Sequence, residues 1–560
     1  MNMKKGQFIL QKNNIILFVA ALLVGLILLT SKGYAASKPA PPVPHFHPSV
    51  SSPGANYNAS DVVGQPDFIS SGSGLSQSAL NVGGCCSMAT VIDKVHHRLF
   101  VGDTGNSRVL VYQLNNKDQF TDGLPHNATY VLGQSDFTSN SYNLDQHSIY
   151  SMGMVYDQVN NRLFVEDEGN SRILVFSLSS GITNGMDASY VIGQPDFTSN
   201  SIGLTQNQFN QLYAGLAYDN STNNLFVYDG NRIMVFNTSP GNISNGMDAS
   251  YVLGQPDFVH NIYNGLNQNS FYAYYGGLVF DNVHKRLFVV DENSSRVLVF
   301  DLSNGITNDM NASNVLSQPD FTSDSFDTCT VSKGGEFQGI GYDEKNQALF
   351  VEDNSCNRVV IFDLSSGITN GMNASMVLGQ PDFTSSNNYP VSQSSLLADY
   401  QNNIAFDTTN NAFYYTDVYN NRSLIFNFIK ITQDILPNPS LNQAYSQTIS
   451  SSNSQGTVTY SVSSGSLPPG LTLNATTGLI SGTPSTSGSY TFSITAKDDN
   501  GTVGYYKDTN SYTLTVTAKS PVTGFGVTTK NPAETVMIYG IIVSTLLATG
   551  LVLRKLNSNI

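Results

Sequence analysis

Six copies of one phrase constrain what this chain can fold into. The pattern [VI]-[VIL]-x-Q-x-D-F starts at Val62, Val131, Val191, Val252, Val315 and Val377, at intervals of 69, 60, 61, 63 and 62 residues. A second phrase alternates with it, two aspartates ten residues apart: Asp93/Asp103, Asp157/Asp167, Asp219/Asp229, Asp281/Asp291, Asp343/Asp353 and Asp407/Asp417. A unit this short cannot bury its own apolar surface, so successive units must pack on one another as a propeller or a solenoid.

The fourth unit displays the local structure. Gly277-Leu-Val-Phe-Asp281, Arg286-Leu-Phe-Val-Val-Asp291, Arg296-Val-Leu-Val-Phe-Asp-Leu302 and Asn314-Val-Leu316 are apolar runs of strand length, rich in Val, Phe and Leu. Asn, Ser and Gly fill the joints, where they relax or satisfy the turning backbone. No long 3.6-residue apolar period occurs between 57 and 430, so four strands per unit and six units predict an all-β, six-bladed propeller. A fourth-strand phrase at Val62 precedes the first set of three strands and none follows the last set. The count balances if the N-terminal strand completes the final blade, which removes exposed sheet edges.

The second phrase resembles the NHL-repeat family. Asp103-Thr-Gly-Asn-Ser-Arg108-Val-Leu-Val-Tyr112 and Asp167-Glu-Gly-Asn-Ser-Arg172-Ile-Leu-Val-Phe176 follow that family's D-x-x-N-x-R core, and Asp417-Val-Tyr-Asn-Asn-Arg422 keeps it. Ser294 and Cys356 replace the Asn in units four and five, and unit three is shortened to Asp229-Gly-Asn-Arg232. A functional site is made once, whereas this Asp and Arg recur in every unit. They are therefore expected to fix the bend between second and third strands. The recurring Leu75/Gln77/Leu80, Leu144/Gln146/Ile149, Leu204/Gln206/Phe209, Leu266/Gln268/Phe271 and Val391/Gln393/Leu396 are expected to staple each inter-blade connection to the core.

Beyond the repeats, residues 431–518 turn rich in Ser and Thr with β alternation and predict a small Ig-like β-sandwich. Leu467-Pro-Pro-Gly-Leu-Thr-Leu-Asn-Ala-Thr-Thr-Gly-Leu-Ile-Ser-Gly-Thr-Pro484 resembles bacterial Ig-like, cadherin-like modules, which implies a spacer or stalk. Asp498 and Asp499 occupy the place of those modules' acidic loop. They are expected to form an exposed turn, with calcium as the alternative, so no cofactor is required.

Both ends carry membrane signals. Lys4, Lys5 and Lys12 precede an apolar run over 15–29 and then Gly33-Tyr-Ala-Ala-Ser37, which marks 1–36 as a signal peptide or an N-terminal anchor. A Pro-rich linker follows over 37–56. At the other end, a linker over 519–535 leads to an uncharged stretch at 536–553, expected as a transmembrane helix, with Arg554 and Lys555 opening a cytoplasmic tail over 554–560. Ser520-Pro-Val-Thr-Gly524 resembles the sortase signal L-P-x-T-G, with Ser in place of Leu. All 41 acidic residues lie between 39 and 535, and seven of the 26 cations lie outside that stretch, which leaves it 19 cations and a net charge of −22. Nucleic acid is excluded as a partner, because a phosphate-binding surface needs a basic face.

The expected role is binding or adhesion at the cell surface, with an extracellular protein or glycan as partner. The candidate face is formed by the inter-blade connections, where Phe271, Tyr272, Tyr274 and Tyr275 gather aromatics. Cys329 and Cys356 both fall on that face and are expected to form a local disulfide. Cys85 and Cys86 have no assigned role. The alternative implied by the resemblance is a metal-dependent lyase or lactonase. The eight histidines do not converge, however: His45 and His47 fall in the linker, His96, His97, His126 and His284 on one side, and only His147 and His260 on the other.

Overall fold

The computed structural model describes residues 57–518 apart from 83–88, 213–214, 273, 326–328, 332–333 and 398–403, and apart from the side chains of 151 and 152. Both terminal apolar segments, Cys85, Cys86 and the stretch 520–524 lie outside the described residues. Among the described residues no helix is long and apolar enough to cross a membrane.

Each repeat forms one antiparallel four-stranded sheet, and the first strands of successive sheets neighbour one another in a closed, propeller-like ring. Blade four comprises Leu278–Asp281, Arg286–Asp291, Arg296–Asp301 and Asn314–Leu316. Blade six takes Asp61–Val63 from the N-terminal end, with Asp61 opposite Ile425 and Val63 opposite Ser423. The strands read as continuous apolar runs because both faces of every blade are covered by neighbours. Phe226 and Val235 of blade three pack with Leu287 and Leu298 of blade four, and Tyr414 and Ile425 of blade six pack with Leu99 and Leu110 of blade one.

The two phrases are tied by one arginine per blade. Arg108 Nε donates to Asp103 Oδ2 (2.6 Å), Nη1 to the Phe137 carbonyl (2.6 Å) and Nη2 to the Ser76 carbonyl (2.7 Å). Arg172, Arg232, Arg296, Arg358 and Arg422 repeat this on the carbonyls of Phe197, Phe258, Phe321, Phe383 and Phe68, and all six arginines are fully buried. The Gln of the first phrase completes the joint: Gln134 Nε2 donates to the carbonyl of Ser107, the left-handed residue that ends the bend. Each Leu-x-Gln segment pairs with the run before a fourth strand, as Gln77 does with Ala128 through a side-chain bond (2.6 Å) and a backbone bond (2.9 Å). In blade five, where Gln is absent, the backbone bond from Ala374 to Val331 remains.

Fourth strands would leave bare edges, and the following blade covers them. Val131 N donates to Asn184 Oδ1 (3.1 Å) and Gly185 N to the Val131 carbonyl (3.1 Å); Asn245, Asn308 and Asn370 do the same at Val191, Val252 and Val315. Blade six has no such loop to cover blade five, because its third strand runs into the C-terminal domain. That domain supplies the cover instead. Gly504 bridges Met376, Tyr505 N donates to the Ser375 carbonyl (3.0 Å), and Val503 is buried against blade five.

The C-terminal domain has two three-stranded sheets, one of Tyr445–Thr448, Leu479–Gly482 and Leu471–Leu473, the other of Thr457–Gly465, Gly488–Asp499 and Tyr505–Val516. Its first strand, Lys430–Ile431, begins directly after Arg422–Asn427. A free-standing stalk is not what forms: the domain shares a core with blades five and six, where Phe428 and Tyr506 stack at 4.2 Å and Lys507 Nζ meets Asp363 Oδ2 at 2.6 Å. The expectation of an exposed turn at Asp498 and Asp499 is also corrected. Both end the strand Gly488–Asp499, and Asp498 is buried because its carboxylate accepts the backbone N–H groups of Gln455 (2.9 Å) and Gly456 (2.8 Å).

Candidate functional site

On the face of the inter-blade connections, each connection is held down by a bend aspartate. Asn81, Tyr150, Tyr272 and Gly335 donate backbone N–H groups to Asp103, Asp167, Asp291 and Asp353. The connection into blade four is the aromatic one. Glu292, itself buried in the bend, accepts the N–H groups of Tyr274 (2.6 Å) and Tyr275 (2.9 Å) on Oε2 and Gln338 Nε2 (3.2 Å) on Oε1. The two rings meet edge to face at 5.1 Å, and Tyr274 is 40 % exposed. Fixing the backbone in this way presents the rings with little ordering entropy left to lose on contact.

Phe271 does not belong to that surface. It is fully buried between the rings of Tyr228 (5.4 Å) and Phe300 (6.2 Å), because it ends a Leu-x-Gln segment as Ile149, Phe209 and Leu396 do, and all four fill the core. The candidate set is therefore Tyr272, Tyr274 and Tyr275. Tyr142, 41 % exposed and 5.5 Å from Tyr150, adds a second aromatic pair on the connection into blade two, which repeat analysis passes over because it lies between the recurring phrases. Cys329 and Cys356 are bonded with Cα atoms 6.0 Å apart, joining the connection into blade five to that blade's bend.

The ring encloses an axial cavity of about 350 Å³, walled by first-strand residues such as Val91, Val155, Ala217 and Val279. The residue after each first-strand aspartate surrounds it: Lys94, Gln158, Asn220, Asn282, Glu344 and Thr408. These are locked blade to blade, since Asn220 N donates to Asn282 Oδ1 (2.9 Å), Asn282 N to Glu344 Oε1 (3.0 Å) and Lys94 Nζ to Thr408 Oγ1 (2.8 Å). A signal for this ring exists in the sequence, where the aspartate is constant and the next residue varies among Lys, Gln, Asn, Glu and Thr.

The described histidines sit apart, each beside an aspartate: His96 on Asp93, His97 on Asp118, His126 on Asp61 and Asp122, His147 near Asp145 and Asp187, His260 on Asp257 and His284 on Asp281. Among the described residues no group of three or more His, Cys, Asp or Glu side chains is placed to hold a metal ion. One carboxyl is exceptional. Glu166 is fully buried and, among the described residues, neither of its oxygens has a hydrogen-bond partner; burial, reinforced by Glu168 and Asp229, holds its pKa well above the usual carboxylate range.

Comparison with known proteins adds a family for one domain. Residues 429–517 match the Putative Ig domain family. No curated protein matches the chain. Among solved structures, the chain is similar to a Bacteroides thetaiotaomicron protein of unknown function, at 14 % identity over 66 % of this chain and 75 % of that one, with a TM-score of 0.39. It is also similar to an auxiliary nutrient binding protein from Bacteroides ovatus, at 10 % identity over 66 % and 76 % with a TM-score of 0.38. A third similar structure is Kuenenia stuttgartiensis hydrazine synthase, at 10 % identity over 60 % and 94 % with a TM-score of 0.34.

Proposed function

We propose that this is an exported cell-envelope protein whose NHL-type propeller binds an extracellular glycan or protein through the face of its inter-blade connections. The observation that carries this reading is the pair Tyr274 and Tyr275, half-exposed rings whose backbone is clamped by the buried Glu292. Tyrosine supplies a large apolar face with a polar tip, which suits sugar rings and peptide surfaces alike. The exported part, at a net −22, repels nucleic acid. The uncharged stretch 536–553 is read as the anchor, with sortase cleavage at Thr523 as the competing fate. The mass of the mature C-terminal peptide separates the two: a chain running to Ile560 retains the span, and one ending at Thr523 does not.

The test of binding is a glycan and peptide array probed with the full chain. A saturable ligand is expected, and Tyr274→Ala combined with Tyr275→Ala is expected to weaken it by about 30-fold, as for a contact hot spot, with an unchanged melting temperature. Binding that survives this double substitution would overturn the assignment.

A further inference from the structure

Blades one, two and four carry a second arginine five residues after the first-strand aspartate, buried in blades one and two and partly exposed in blade four. Arg98, Arg162 and Arg286 pair with Asp93, Asp157 and Asp281 at 2.5–2.6 Å, and each guanidinium also donates to a tyrosine of the next blade, Tyr156, Tyr218 or Tyr342, at 3.0–3.1 Å. Blades three, five and six have Asn224, Ala348 and Ala412 in its place. Two of these vacancies are filled from elsewhere. Lys285 of blade four reaches Asp219 at 3.3 Å, and Tyr506 of the C-terminal domain donates its hydroxyl to Asp343 at 2.7 Å.

The third vacancy is a cavity. In blade six the hydrogen bonds to Asp407 come from its own turn, Thr409 N (2.8 Å) and Asn410 Nδ2 (2.7 Å), and Ala412 lines a space of about 380 Å³ between blades six and one. That volume falls within the range of small-molecule sites, about 300–1,000 Å³. Tyr414 replaces the phenylalanine over which the arginine lies in the sister blades. It is 3 % exposed and lines the cavity, and among the described residues its hydroxyl has no hydrogen-bond partner. Asp118 and Asp61 line the same space, and each has one oxygen engaged, by His97 (2.7 Å) and His126 (2.9 Å). Burial, reinforced by the charges of Asp407, Asp118 and Asp61, holds the Tyr414 pKa well above its usual value. Among the described residues of the lining Lys430 is the one cationic side chain, and Gln119 and Asn453 at the rim are exposed.

We propose that this cavity binds an alkylguanidinium, whose planar cation takes the place that an arginine side chain holds in blades one, two and four. A guanidinium matches carboxylate and hydroxyl acceptors in a fixed fork, which a point-charge ammonium does not. The polar groups of Asn427, Ser452 and Asn453 receive the rest of the ligand. This site is separate from the tyrosine face and stands or falls without it.

Calorimetric titration of the full chain provides the test, with free L-arginine, a Gly-Arg-Gly peptide and neutral citrulline as probes. Arginine, the peptide or both are expected to saturate one site; peptide alone would assign the guanidinium to a polypeptide partner, and free arginine alone to a small molecule. Citrulline is expected to bind at least about tenfold more weakly, the scale of a lost charge-assisted bond. Ala412→Arg supplies the missing side chain and is expected to abolish binding with an equal or higher melting temperature. Should that variant fail to fold, Tyr414→Phe is expected to weaken binding about fivefold. The proposal is overturned if neither arginine probe binds, if citrulline binds equally, or if binding persists unchanged in a folded Ala412→Arg or Tyr414→Phe variant.

Discussion

Arginine could not be exchanged for lysine at the bends of this ring. Arg296 bonds Asp291 with one nitrogen and the carbonyls of Phe321 and Ser270 with the others, so three segments meet on one planar cation. Lysine offers one point of attachment and would leave buried acceptors open. Arg296→Lys is expected to lower stability by about 3 kcal/mol, read as a shifted urea midpoint. Glu166 makes the opposite case, a buried carboxyl with no hydrogen-bond partner among the described residues. Its folded pKa is raised, so above about pH 4.3 the unfolded chain releases a proton that the folded chain keeps. Stability from this group is full below that pH and falls by about 1.4 kcal/mol per unit as pH rises toward the folded pKa. Glu166→Gln removes the slope. Urea midpoints of variant and parent should converge near about pH 4 and diverge in the variant's favour at neutral pH, and parallel curves would mean that Glu166 is charged and satisfied.

Among the elements, the N-terminal strand matters beyond its three residues. Deleting 57–68 removes Asp61–Val63 from blade six, the buried side chains of Tyr57, Val62 and Val63, and the Phe68 carbonyl bonded by Arg422. At roughly 1.5–3 kcal/mol for each large buried side chain, the loss is on the order of 5 kcal/mol, comparable with the whole stability of a typical domain. Thermal unfolding of the shortened and full chains measures this, and equal midpoints would mean that the ring closes without that strand. The disulfide acts more locally. It spans 27 residues, so replacing Cys329 and Cys356 by serine is expected to lower stability by about 3.5 kcal/mol.

At the scale of the whole molecule, the C-terminal domain is a structural part of the propeller. It covers the edge of blade five through Gly504 and Tyr505 and fills the place opened by Ala348 with Tyr506. The full chain should therefore melt in one calorimetric transition. A chain ending at 430 should melt lower, because both covers are lost. Tyr506→Phe keeps the stack on Phe428 and removes the hydroxyl from Asp343, at an expected cost of about 1–3 kcal/mol. Two separated transitions, with the propeller melting as it does alone, would contradict this coupling.

The ring was legible in the chain because its information is short-range. Strand-length apolar runs, turn residues at fixed offsets and a phrase count that balances with the first strand closing the last blade all follow from local chemistry. The sequence alone therefore determined an all-β ring of six units followed by a smaller β domain. What it could not carry was which side chain fills a given space. Phe271 and Tyr274 are three residues apart and equally aromatic, yet one is core and the other surface, since one ends a Leu-x-Gln segment and the other rests on Glu292. Asn224, Ala348 and Ala412 read alike as lapses in the repeat. Only the packed structure separates them into a place taken by Lys285, a place taken by Tyr506 and an acid-lined cavity, because the groups that fill or line each space come from other blades and another domain, far along the chain.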